Sequence, residues 1–329
     1  MILAGDVGGT KTNLAQFESL GDGRVSSPQA EESLPTARFP SLEALLADYG
    51  ARHPAPCEAV CLGVAGAVVA ERVLSPNLPW TVDAQSLAQK LAVPRVALIN
   101  DLVATGHGVE ALAPGDLTVI QPGEPAPDAN AGILAPGTGL GQSILVRAGG
   151  RYLPVPSEAG HADFAPRTDA ELKVFRALRT RFGRVSCERI LSGPGLASVG
   201  EIVHAGRGAQ AAWDRHVADA PGTTLPSAVA RHAIERSCDG CVEALNLFVG
   251  VLGAEAGNLT LRAVALGGIY LGGGIAPKII AALKSATFTE AFRDKGPMRG
   301  LLASVPVWVI RNERTAVLGA ARFAAAALN

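Results

Sequence analysis

The sequence carries little charge. Of its 329 residues 18% are charged, 29 Lys and Arg against 30 Asp and Glu, for a formal net charge of −1. No block of like charges interrupts it, which excludes the broad basic face of a nucleic-acid binder and means that an anionic ligand must be held locally. Cysteine is sparse as well: five residues, an odd number without a regular framework, exclude a disulfide-stapled scaffold and point to reduced thiols. Cys238-Asp239-Gly240-Cys241 is a C-x-x-C pair, but zinc would need two further ligands close by in the fold. Cys57 and Cys61 lie far off in sequence, so the pair is expected to be buried thiols. Long hydrophobic runs are also missing, since stretches such as 59–70 and 244–254 fall short of a bilayer span. The first residues already read as an apolar strand, leaving no room for a secretory signal. These absences predict a cytoplasmic protein with neither nucleic acid nor membrane as partner.

What is abundant is apolar surface, at 48% of residues, enough for large cores and too much for disorder. At this length one core stops growing, so two lobes are expected, with the cleft between them as the natural ligand site.

Two glycine turns stand out. Asp6-Val7-Gly8-Gly9-Thr10-Lys11-Thr12 sits between the apolar runs 2–4 and 14–17, predicting strand, tight turn, strand. Adjacent glycines remove the Cβ atoms that would keep an anion off the backbone, so the N–H groups can converge on phosphate. Asp6 would repel phosphate directly but suits a hydrated divalent cation that the phosphates also bind. Gly137-Thr138-Gly139-Leu140-Gly141, within the apolar stretch 133–146, repeats the arrangement. Both turns lead into strands, which fits neither the dinucleotide fingerprint nor the P-loop, each of which opens a helix. Either alone could be an ordinary hairpin, whereas the pair implies a polyphosphate held by two lobes. Their separation is far beyond solenoid periods and suggests an old domain duplication.

Elsewhere, 59–64 and 96–99 read as buried strands, and 41–49 and 83–91 as helices with Ser and Asp at the cap positions, which together indicate an α/β lobe. The Pro- and Gly-rich stretch 114–130 marks the lobe connection. The predicted division is a smaller lobe of 1–113 plus about 314–329 and a larger one of 114–313. Helical patterns follow at 175–182, 195–203 and 228–261. A strand at 264–271 is closed by Gly272-Gly273-Gly274, with Pro277 opening the next helix. Glycines between a strand's end and a helix start are where α/β sheets bind nucleotides. A strand at 305–310 and an Ala-rich helix at about 314–328 close the sequence, the helix returning to the first lobe.

Asn100-Asp101 follows directly on the strand 96–99, at the carboxyl end where open α/β sheets bind ligands, although an Asp there can simply cap the next helix. Glu158 and His161, in Ser157-Glu158-Ala159-Gly160-His161, and Glu188 add acceptors. Glu-x-x-His would serve a di-metal site only with a second copy, which is lacking. A polyhydroxy ligand suits the set better.

At these residues the sequence resembles the bacterial ATP-dependent glucokinases of the hexokinase, actin and Hsp70 superfamily. The likeness runs through Asp6 to Thr10, Asn77-Leu78-Pro79-Trp80, Asn100-Asp101, Gly137 to Gly141, Ser157 to His161, Glu188 within 187–195, and Leu271 to Gly274, in family order. It implies an α/β, two-lobed actin-like ATPase (ribonuclease H-like) fold with the active-site cleft between lobes, and transfer of phosphate from ATP to the 6-hydroxyl of glucose. Asn77, Asn100, Asp101, Glu158, His161 and Glu188 would bind glucose, with Asp101 the general base. Asp6, Gly8, Gly9, Thr10, Gly137, Thr138, Gly139 and the Gly272, Gly273, Gly274 loop would hold ATP, and Asp6 would hold Mg²⁺ through water. A homodimer is the implied assembly. Gly66-Ala67 stands where the family often has Gly-Pro, and Pro76 precedes Asn77 in place of Thr, which weakens the case for Asn77. The related ROK sugar kinases carry a zinc site with cysteines clustered beyond the sugar-binding His, and no such cluster follows His161. Two alternatives stay open: a kinase for another hexose or N-acetylhexosamine, and a non-enzymatic sugar-responsive regulator.

Overall fold

Strands form where β-branched and small apolar residues run together, and the first such run, Ile2–Val7, is the third of five strands in a sheet ordered Gln29–Pro35, Lys11–Phe17, Ile2–Val7, Ala59–Val64, Val96–Asn100. The computed structural model describes residues 1–74, 78, 80–218 and 224–328. Its contacts divide the chain into one unit of Met1–Gly115, Arg151–Pro156 and Asn312–Asn329 and another of Asp116–Gly150 and Ser157–Arg311.

In the first unit the Ile2–Val7 and Lys11–Phe17 strands make an antiparallel hairpin closing at Val7 opposite Thr12. Ile2–Val7, Ala59–Val64 and Val96–Asn100 run parallel. Parallel neighbours need crossovers, and the helices Leu42–Arg52 and Ala84–Leu91 supply them. Each starts at the residue its sequence suggests: Ser41 Oγ accepts from Ala44 N and an Asp83 oxygen accepts from Ser86 N. Thr315–Ala327 lies against Asp101–Val109 so closely that a side chain on Gly319 would strike the Ala104 carbonyl and one on Gly108 the Thr315 carbonyl. Residues 151–156, expected in the larger lobe, belong to this unit instead. Tyr152 N–H donates to Glu110, just past the Asp101–Val109 helix, at 3.2 Å.

In the second unit the strands stand in the order Leu117–Gln121, Val307–Ile310, Ile269–Leu271, Ala131–Pro136, Leu140–Ala148. Ala131–Pro136 and Leu140–Ala148 form the second hairpin, with Pro136 opposite Leu140. The helical stretch read at 228–261 is two helices, Leu225–Ile234 and Asp239–Ala263, with the Cys238 side chain capping the second. Asp239–Ala263 is long and apolar enough to cross a membrane, further than its longest apolar run suggested, yet 78% of its apolar window is buried inside the unit, so its composition is that of a core helix. The strand expected at 264–271 shrinks to Ile269–Leu271. Val264 takes a left-handed backbone (φ 48°, ψ 50°) as the helix C-cap, and the next residues turn before the chain can extend.

Candidate active site

The first glycine turn is braced from behind. Gly8 N–H donates to the Lys11 carbonyl at 3.0 Å, and Thr36 N–H donates to the Thr10 carbonyl at 3.0 Å. The Thr36 hydroxyl donates to the Gly8 carbonyl at 2.7 Å. Because that hydroxyl has given its proton to the carbonyl, it accepts from buried Thr12 Oγ1 at 3.0 Å. Carbonyls that would repel phosphate are thereby turned inward and occupied, while Gly9 and Thr10 stand exposed. Sequence reasoning missed Thr36 and Thr12, because the brace depends on pairing between the Lys11–Phe17 and Gln29–Pro35 strands and no local motif marks it. Lys11 faces Glu313 in an exposed pair at 3.6 Å, a solvated turn lysine.

Asp6 lies opposite Asn13 on one neighbouring strand and beside Gly63 on the other. Burial pushes its carboxyl above the ordinary range, opposed by a hydrogen bond from the Asn13 side chain and by the charge of Lys11. A carboxylate whose charge is disfavoured by burial can be stabilised by a hard divalent cation.

Asn100 and Asp101 end the Val96–Asn100 strand at the same carboxyl edge, with the Ala59–Val64 strand between them and Ile2–Val7. Two strand spacings put that edge roughly 10 Å from Asp6. Asn100, not Asp101, is the N-cap: its Oδ1 accepts from Leu102 N at 2.9 Å and Val103 N at 3.3 Å. Its Nδ2 donates to the Gly66 carbonyl at 3.0 Å, so at most one amide hydrogen is left for a ligand. Asp101 is the first helical residue, and its Oδ1 takes Leu102 N–H at 2.9 Å. The helix can start this near the sheet because Gly63 lacks a side chain; a Cβ there would lie 2.7 Å from the Ala104 Cβ.

In the second unit one cluster gathers the second turn, the glycine loop and two of the acceptors. Gly137 N–H donates to the Gly139 carbonyl at 2.8 Å, and Gly193 N–H, at the start of a helix, donates to the Gly137 carbonyl at 2.8 Å. Gly273 takes φ 73° with its Cα against the Pro136 carbonyl. Ile275 N–H donates to that carbonyl at 3.2 Å, which ties the Gly272 to Gly274 loop to the turn. Glu188 reaches under the turn: its Oε2 accepts from Leu140 N at 2.9 Å, and a Cβ on Gly139 would sit 2.5 Å from that oxygen. Its other oxygen faces His161 Nδ1 at 3.8 Å. His161 N–H donates to the Glu158 carbonyl at 3.0 Å, in a 3-10 turn at Ala159–His161 whose Gly160 abuts the Leu140 carbonyl. Thr138, Glu158 and His161 are exposed. Asn77 lies outside the described residues. A cavity of about 700 Å³ elsewhere in this unit, with Arg167, Glu171 and Asn246 in its wall, is lined by none of the candidate glucose or ATP residues.

The structure corrects the reading of the C-x-x-C pair. Cys238 and Cys241 have partners after all: the ligand atoms of His204, His216, Cys238 and Cys241 lie within 4.8 Å of one another. The potential partners are histidines from two upstream helices rather than the distant cysteines.

A family model described as Glucokinase matches residues 3–327. A glucokinase of Nostoc sp. (strain PCC 7120) is 38% identical over 99% of this chain and 99% of that protein. A crystal structure of a glucokinase from an Antarctic psychrotroph superposes with a TM-score of 0.84 at 29% identity, covering 98% of each chain. A ROK family glucokinase from Streptomyces griseus, in complex with glucose and AMPPNP, shares the fold alone, with a TM-score of 0.65 at 19% identity and 98% of each chain covered. The fold class is therefore the actin-like sugar-kinase class read from the sequence.

Proposed function

The chain belongs to the glucokinase family and is a hexose kinase; within that class we propose that it transfers the γ-phosphoryl group of ATP to the 6-hydroxyl of glucose. The observation that carries this reading is the first unit's strand edge, where a braced, carbonyl-occupied glycine turn and Asp101 follow strands separated by one intervening strand, a spacing of roughly 10 Å that suits a phosphoryl group and its acceptor. Phosphoryl transfer needs positioning and charge neutralisation more than covalent chemistry from the protein.

Gly9, Thr10, Thr138 and Gly139 offer backbone N–H groups and hydroxyls to the phosphates, Gly8 and Gly137, whose N–H groups close the two turns, let the phosphates approach the backbone, and Gly272, Gly273 and Gly274 flank the nucleoside. Glu158, His161, Glu188, Asn77 and Asn100 hold the sugar hydroxyls. Asp101 takes the 6-hydroxyl proton as that oxygen forms its bond to the γ-phosphorus and the bond to the β-phosphate oxygen breaks, leaving ADP. The Asp6 carboxyl, whose charge burial disfavours, would hold Mg²⁺ through water, and the ion would supply charge neutralisation on phosphate oxygens. The reduced cysteines and the resemblance support a cytoplasmic homodimer.

A coupled assay across sugars and donors tests the reading: glucose with ATP and Mg²⁺ should give glucose 6-phosphate, and removing Mg²⁺ should abolish it. Efficient transfer from ADP or polyphosphate but not ATP would overturn the donor assignment.

A further inference from the structure

We propose that His204, His216, Cys238 and Cys241 form a structural zinc site in the second unit. The four ligand atoms fall within 4.8 Å of one another. A tetrahedral zinc with Zn–S near 2.3 Å and Zn–N near 2.0 Å sets its ligands roughly 3.3–3.8 Å apart. His204 Nε2 and Cys238 Sγ already stand 3.3 Å apart, so the set needs only a small contraction.

Three features shape the cluster for a cation. His204 Nδ1 lies 2.7 Å from the Gly200 carbonyl; a carbonyl only accepts, so Nδ1 carries the proton and the Nε2 lone pair faces the sulfurs. This is the outer bond that orients metal-bound histidines. Cys238 Sγ accepts from Cys241 N at 3.4 Å as the side-chain cap of the Asp239–Ala263 helix, which fixes the sulfur beside the first turn. Between the cysteines, Gly240 leaves room for the His204 ring, since a Cβ there would lie 2.6 Å from its Cε1.

The ligands come from three helices: His204 from the last turn of Gly193–Gly206, His216 from Gln210–Ala218, and the cysteines from the start of Asp239–Ala263. His204 and Cys241 are buried. Zinc here would pin these helix ends together. His204 is about 11 residues along its helix from Gly193, so the metal sits some 17 Å from the phosphate turn and its role is stability rather than chemistry. The site is also distinct in sequence from a cysteine cluster following His161.

Elemental analysis of protein purified without chelator should find about one zinc per chain, and His216→Ala and Cys241→Ser should lose it and lower Tm by about 5 °C or more, with kcat within about twofold of the parent. Cobalt added to metal-stripped wild-type protein should give the visible bands of a tetrahedral site and a thiolate-to-metal charge-transfer band. This readout does not depend on any variant folding. Zinc below about a tenth of an equivalent together with no cobalt spectrum would overturn the proposal. Zinc that survives in a Cys238→Ser, Cys241→Ser double variant, or a Cys238–Cys241 disulfide in freshly isolated protein, would overturn it equally.

Discussion

Asp101 is the residue on which the proposed chemistry turns, and the structure separates it from the role of helix cap. The helix is capped by Asn100 Oδ1, so the Asp101 carboxylate is not needed as the cap. Asp101→Asn keeps an oxygen for Leu102 N–H and removes only the basicity, so kcat should fall by about 10²–10⁴ while glucose affinity and Tm stay near the parent values. Near-normal kcat would remove Asp101 as the base. Asn100→Ala is a different experiment, because it strips a cap and loosens the same helix by about 1 kcal/mol. At the second turn, Thr138→Val deletes an exposed hydroxyl proposed as a phosphate donor, at almost constant volume, and KM for ATP should rise with KM for glucose unchanged. A rise in the glucose KM alone would show that the turn does not serve the nucleotide.

The helix that begins at Asp101 carries its own titration. His107, near its end, packs edge-on to Phe323 at 5.2 Å between ring centroids, and burial, aided by the charges of Arg322 and Arg151, lowers its pKa from 6.5 to about 4. The folded helix therefore holds a neutral ring, whereas the unfolded chain protonates it below about 6.5. This contribution to stability is fully present above that pH and is lost as pH falls toward 4. Between pH 7.5 and 5 the loss from His107 should be about 2 kcal/mol. Urea midpoints at the two pH values measure it, and His107→Leu should flatten the difference; an equal loss in the variant would assign the acid sensitivity elsewhere. The same helix shows why its partner had to be seen rather than read. Gly108 and Gly319 are unremarkable in sequence, but they let the Asp101–Val109 and Thr315–Ala327 helices touch backbone to backbone, a contact that spans more than 200 residues of chain.

For the molecule as a whole, what could be read from the sequence was what is local. Helix starts at Ser41 and Asp83, both glycine turns and the Asn100-Asp101 strand end each announce themselves within a few residues, because caps, turns and strand ends are governed by neighbours. The Thr36 brace, the grouping of 151–156 with the first unit and the histidines beside Cys238 depend on tertiary packing across long separations, which no short pattern encodes. Substrate choice sits between these cases, since it follows from residue types already named. Asp101, Glu158 and Glu188 present mainly acceptors, and Asn100 retains at most one donor after donating to the Gly66 carbonyl, so the proposed set suits a ligand whose periphery is hydroxyl throughout. Glu188 has one oxygen committed to Leu140 N–H, which leaves the other for a single hydroxyl and none for a bulkier group. An acetamido substituent in place of one hydroxyl would leave at least one acceptor unpaired once the bound sugar excludes water from it, at about 1–3 kcal/mol before any clash. Because 1.4 kcal/mol is a factor of about ten, kcat/KM for glucose should exceed that for N-acetylglucosamine or N-acetylmannosamine by about tenfold or more. Equal use of an acetylated sugar would move the chain to another hexose specificity within the same fold, and tight glucose binding with no transfer from any nucleotide would mark it as a regulator.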